Sequence, residues 1–169
     1  MIIENEKIFP TLLKYFSNKK IAVVDPSKLN RLAIKNSILK MGGQHQNIEN
    51  LETIESLKTY LENNHVDIVF VKEVLKREKG IDVLEQHLKV QPDRLVGSYY
   101  IISDSNNASL SNIVLEHECD GVLTTPFTVA KITETIFSSI KRKVGPSQLL
   151  RKIEEGKSFF FQKKFVKSV

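Results

Sequence analysis

Asp67-Ile68-Val69-Phe70-Val71-Lys72, followed by Glu73-Val74-Leu75-Lys76-Arg77-Glu78-Lys79-Gly80, decides the fold. From Ile68 to Val71 every residue is apolar, so neither face of an extended chain is left for water. Such a run belongs in a strand covered on both sides, as in a parallel sheet. It stops at Lys72, and Gly80 opens a new apolar pattern of helical spacing.

Working outward, the same grammar repeats. Ile21-Ala22-Val23-Val24 is a second continuous apolar run. Asp25-Pro26-Ser27 closes it, and a helical pattern (Leu29, Leu32, Ala33, Ile38, Leu39) follows, capped by Ser27 and ended by Gly42-Gly43. Residues 46–51 give a short strand around Ile48. Thr53 caps a helix with Ile54, Leu57, Tyr60 and Leu61 inward. After the central strand, a helix from Gly80 carries Ile81, Val83, Leu84 and Leu88. Tyr99–Ile102 is a fourth strand, with Tyr99 and Tyr100 divided between core and rim, and residues 107–118 form a fourth helix. Residues 121–125 form a fifth strand, and Val129 to Ile140 a fifth helix.

Five strand-then-helix units in succession predict an α/β fold with a parallel sheet. Right-handed crossovers reduce the topologies to a flavodoxin-like, doubly wound sheet of strand order 2-1-3-4-5. Helical extensions are expected at both ends: residues 1–18 before, and 146–169 after, a domain spanning 19–143. In such sheets function sits beyond the carboxyl ends of the strands. The residues brought there are Asp25, Pro26, Lys72, Ser103 and Thr125.

Composition bounds the rest. The apolar fraction of 41% supports a core. No apolar run reaches the roughly 18 residues of a membrane span, and a cytoplasmic protein is expected. Cys119 is the single cysteine, which fits a reducing compartment and a buried thiol. The net charge of +5 is uneven: residues 141–169 hold nine Lys/Arg and two Glu. His45, His65, His87 and His117 have no metal-ligand spacing, and no phosphate loop or nucleophile elbow is present. No metal, cofactor or enzymatic activity is expected.

With these residues in order, the chain resembles the receiver domain of bacterial response regulators. Val23-Val24-Asp25-Pro26-Ser27 is similar to the family's first-strand end, which normally carries two adjacent acids. Lys72 stands where the phosphorylated aspartate normally is, and Leu75 and Gly80 keep the usual offsets from it. Ile101-Ile102-Ser103 resembles the fourth strand with its terminal hydroxyl. Leu123-Thr124-Thr125-Pro126-Phe127 resembles the fifth, where a lysine normally precedes Pro-Phe. The resemblance implies a two-component-type signalling module that meets protein partners through residues 96–140.

The departures have chemical meaning. Phosphoryl transfer to a carboxylate needs the nucleophile, a divalent cation held by converging acids, and a cation on the phosphoryl oxygens. Here those positions hold Lys72, Asp25 with Pro26, and Thr125. Ser103 alone keeps its type, and Val122 replaces the fifth-strand aromatic of the family's switch. The expected result is a pseudo-receiver not phosphorylated on aspartate. Lys72 either pairs with Asp25 in the space of the metal or points to solvent. Asp104 looks a poor substitute because it follows the wrong strand.

Residues 154–168 resemble the opening of a tetratricopeptide repeat; a plain C-terminal helix is the other reading. Protein partners are expected on the 96–140 face and the C-terminal helix, a homodimer being one form of such contact. Two alternatives stand beside this. One is a receiver still switched by an unconventional ligand or modification. The other is a nucleic-acid or membrane-surface binder using the basic tail, though no groove-entering motif accompanies the charge and nucleic acid is not expected.

Overall fold

A computed structural model of the chain describes residues 10, 12–105, 108–144 and 155–157. The strands are β1 (Ile21–Val24), β2 (Ile48–Leu51), β3 (Ile68–Lys72), β4 (Ser98–Ser103) and β5 (Gly121–Thr124). They form one sheet in which every pair is parallel and the order is β2-β1-β3-β4-β5. This is the expected flavodoxin-like α/β fold. The helices are α1 (Lys28–Lys40), α2 (Ile54–Asn63), α3 (Leu84–Val90), α4 (Ala108–Glu116) and α5 (Val129–Val144).

Strand alternation divides the core into two layers. Ile68, Phe70, Tyr100 and Ile102 face α1 and α5, meeting Ile34, Ile38, Ile132, Ile136 and Ile140. Val69, Val71, Tyr99 and Ile101 face the other side, against Leu57, Leu61, Leu84, Leu88 and Leu110. Within residues 12–16, which are helical, Leu12 and Phe16 are fully buried and extend the first layer. Each such side chain contributes roughly 1.5–3 kcal/mol by leaving water. Gly42 lets this segment close on α1: its φ is +98°, and a Cβ there would lie 2.8 Å from the Leu13 Cα.

Local signals set the helix starts. Ser27 accepts from the Asn30 amide at 3.3 Å. Thr53 and Ser56 form a reciprocal capping box at the start of α2. The region after β3 differs from expectation. Val74–Leu75 and Glu78–Lys79 pair as a small antiparallel hairpin, with Lys76 in its turn at φ +58°. Gly80–Val83 is then a 3-10 turn, so the regular helix begins four residues later, at Leu84.

The core-and-rim reading of the tyrosines is corrected. Tyr99 and Tyr100 are both fully buried, because each hydroxyl has an internal partner. Tyr99 Oη donates to the Gly80 carbonyl at 2.6 Å, and Tyr100 Oη bonds Ser139 Oγ. Tyr100 also stacks on Phe70 with 4.6 Å between ring centroids. The N-terminal residues 1–9 lie outside the described residues. So does nearly all of the 146–169 segment, including the repeat-like reading of 154–168 apart from 155–157.

Candidate functional site

Parallel pairing carries the ends of β1, β3, β4 and β5 to one edge of the sheet. The register sets Val24 beside Val71, Lys72 beside Ile102, and Ser103 beside Thr124. Asp25, Lys72, Ser103, Asp104 and Thr125 therefore all stand at that edge.

Asp25 is buried, and its carboxylate is occupied locally. Oδ1 accepts from the Ser27 amide at 2.7 Å and Oδ2 from Asn30 Nδ2 at 3.2 Å. Its carbonyl accepts from Arg31 at 2.6 Å, and Arg31 pairs with Glu52 at 2.7 Å. The acid thus anchors the β1–α1 turn. Pro26 lies beside it, on a cavity of about 610 Å³ that Thr53, Glu55, Leu75 and Glu78 also line.

Lys72 satisfies neither of the two expectations for it. It is buried rather than solvated, with 9% of its surface exposed, and its ion pair is with Asp104 Oδ1 rather than Asp25. Asp104 Oδ1 also accepts from Thr125 Oγ1 at 2.7 Å. These two bonds, that from Lys72 first, hold the Asp104 carboxyl below the usual carboxylate range. The expectation that Asp104 is a poor substitute, since it follows β4 rather than β3, overlooks this pairing. Those strands are neighbours, and an extended lysine crosses the gap between their ends.

Ser103 is engaged as well. Its Oγ lies 2.5 Å from Glu73 Oε2 and 2.9 Å from the Ser105 carbonyl oxygen, and it accepts from the Ser105 amide at 3.2 Å. Glu73 is in turn fixed by its amide, which donates to the Ile102 carbonyl at 2.7 Å. The loops after β3, β4 and β5 are thus laced together by Lys72, Glu73, Ser103, Asp104 and Thr125. Among the described residues no group of acids, histidines and cysteine converges as a metal site. The arrangement can hold charge and position loops; the last residue of β3 is Lys72, and the carboxylate that follows it, that of Glu73, is bound to Ser103 Oγ.

Sequence reasoning missed a second polar cluster, at the opposite end of the sheet. Asp120, just before β5, pairs with Arg94 Nη2 at 2.7 Å and with Lys143 Nζ at 2.7 Å. All three side chains are at most 10% exposed. Burial lowers the Lys143 ammonium to about 8, against the opposing pull of Asp120. Burial also raises the Cys119 thiol to about 12 and pushes Tyr15, Tyr99 and Tyr100 above their ordinary range. The residues are scattered at 94, 120 and 143, so no sequence spacing announces them.

These shifts fix the sign of an alkaline pH dependence. Between about pH 8 and 10.5, unfolded Lys143 holds a proton that the folded chain lacks, so stability rises with pH. Above pH 9 the unfolded Cys119 has lost a proton that the folded state keeps, which offsets the Lys143 contribution and flattens the slope. Above pH 10 the three tyrosines act in the same direction. The unfolding free energy from urea titration is expected to rise from pH 8 to 9, by about 1 kcal/mol at most, and to fall steeply beyond pH 10, the midpoint moving with it. A midpoint still rising above pH 10.5 would contradict these environments.

No family model matches the sequence, and no curated protein matches it. Solved structures do match its fold. The receiver domain protein (CheY-like) from Methanospirillum hungatei JF-1 superposes with a TM-score of 0.61 at 17% identity, over 75% of this chain and 96% of that one. Chemotaxis response regulator CheY4 of Vibrio cholerae gives 0.59 at 12% identity, over 72% and 98%. A putative two-component system response regulator/GGDEF domain protein gives 0.66 at 17% identity over 84% of this chain, which spans 57% of that protein. At these identities the likeness is one of fold.

Proposed function

We propose that the chain is a receiver-like signalling module that works by protein–protein contact and is not phosphorylated on aspartate. The observation that carries this reading is Lys72. It occupies the tip of β3, buried and ion-paired with Asp104. An ammonium there offers no acyl-phosphate acceptor, and its charge opposes a divalent cation. The supporting observations are that Asp25 is used by its own turn and Ser103 by Glu73. A pocket whose groups already serve one another has little to gain from a phosphoryl group.

On this reading the output is a docking face of fixed shape. The 96–140 surface carries exposed Leu115 and Val129, which suits contact with an apolar partner patch. A second reading, a cleft switched by a small ligand, is favoured by the cavity beside Pro26.

Incubation with acetyl phosphate or beryllofluoride and Mg²⁺ separates the possibilities. Intact mass is expected to stay unchanged, and amide shifts of residues 72–80 and 103–105 are expected not to move with Mg²⁺. A Mg²⁺-dependent acyl phosphate would sink the proposal.

A further inference from the structure

The groove between the 80–88 segment and the end of α4 has a chemistry that the strand tips do not share. It encloses about 540 Å³, within the roughly 300–1,000 Å³ of pockets that hold compact ligands. Ile81, Leu84 and Leu88 supply apolar wall. Asp82, Glu85, Glu116 and Glu118 contribute four carboxylates. Of the cations in the lining, Arg94 is engaged with Asp120. Lys157 is the other. A concave surface that is apolar on one wall and negative in sum suits an occupant that is aromatic and basic.

The chain itself contains such a segment. From residue 157 it reads Lys-Ser-Phe-Phe-Phe-Gln-Lys-Lys-Phe-Val-Lys, with four lysines, four phenylalanines and no acid. Its first residue is already at the groove: Lys157 Nζ lies 2.7 Å from both carboxylate oxygens of Glu118. Phe159 to Phe161 follow within two to four residues. At roughly 3.3–3.6 Å per residue, two to four residues of chain span about 7–14 Å from Lys157, which lines the same groove as Ile81, Leu84 and Leu88.

We propose that this groove is an intramolecular docking site for the chain's own Phe159–Phe165 segment, with Lys157–Glu118 as the entry clasp. Aromatic side chains bury against Ile81, Leu84 and Leu88, and the following lysines meet the carboxylates of the rim. Docking places whatever lies beyond residue 165 against the α3–α4 side of the domain. It also covers apolar surface that the three consecutive phenylalanines would otherwise expose.

The test uses the full chain with Phe160 replaced by photoreactive benzoylphenylalanine, irradiated at dilute concentration, with crosslinks mapped by mass spectrometry. Crosslinks within one chain to residues 81–88 or 116–118 are expected. Glu118→Lys is expected to lower their yield about two- to fivefold, the factor an exposed ion pair supplies, and raised salt is expected to act in the same direction. A Phe159→Ser, Phe160→Ser, Phe161→Ser variant is expected to speed amide exchange across residues 81–88. Crosslinks outside the groove would overturn the proposal. So would crosslinks only between chains, which would assign the groove to a second copy, or a yield indifferent to Glu118→Lys.

Discussion

Replacing Asp120 with alanine is expected to cost roughly 3–5 kcal/mol of stability, the loss typical of one partner removed from a buried ion pair. Its carboxylate serves three donors: Arg94 and Lys143, each at 2.7 Å, and the Tyr99 amide at 2.7 Å. Alanine would leave two enclosed cations facing each other and an amide without its acceptor. Among the described residues Arg94 Nη1 has no hydrogen-bond partner, so the site has little spare acceptor capacity. At about 2–4 °C per kcal/mol for a chain of this size, the melting temperature should fall by roughly 6–20 °C. Asp120→Asn keeps an acceptor for the amide and should lose less. Thermal and urea unfolding of both variants check this; a loss below about 1 kcal/mol for the alanine would show that water reaches the cluster.

Gly80→Ala is expected to be nearly as damaging, at roughly 3 kcal/mol, the upper part of the range for overpacking a core. A Cβ at this position would stand 2.3 Å from the Lys72 carbonyl oxygen and 3.0 Å from both Val71 methyl carbons. The neighbour that must yield is backbone of the central strand, paired with β1 as far as Val71 and with β4 through Lys72. The glycine cannot retreat either. Its amide donates to the Glu73 carbonyl at 2.8 Å, and its carbonyl accepts from Tyr99 Oη at 2.6 Å. A Gly80→Ala, Tyr99→Phe double variant should lose less than the sum of the two single losses, since freeing the carbonyl lets the turn move outward. Strict additivity in a double-mutant cycle would show that the turn relaxes in some other direction.

The sheet was legible because β1 and β3 are continuous apolar runs and α1 and α2 carry their own caps. Ile21–Val24 and Ile68–Lys72 are buried along their whole length, as runs without a polar face require. The 74–79 hairpin was not legible. Each of its strands is two residues long, too short for alternation to register. The site was legible as a set of positions and wrong in its pairing. Which cation meets which carboxylate depends on register between β3 and β4 and on side-chain reach, and neither is written in one sequence. Lys72 found Asp104 because Ile102 is its register partner and Asp104 is two residues further on. The Asp120 cluster illustrates the same limit more strongly. Its members lie far apart in sequence and come together only when α5 returns along the sheet. The tyrosines mislead for a different reason. A hydroxyl suggests a rim, but an internal acceptor allows full burial.

The last turn of α5 has a mechanical consequence. Lys143 bonds Asp120 and Ser98 Oγ, and Arg142 donates to the Asp120 carbonyl. Those acceptors belong to the entry ends of two neighbouring strands. Tension applied to the chain beyond residue 144 would therefore not peel the helix away one turn at a time. It would be borne first by a polar rivet loaded across β4 and β5 together, and shared with the hydrogen bonds between them. Lys143→Met, which keeps the packing stem but removes the rivet, should let α5 detach at a lower pulling force while changing the melting temperature far less than Asp120→Ala does.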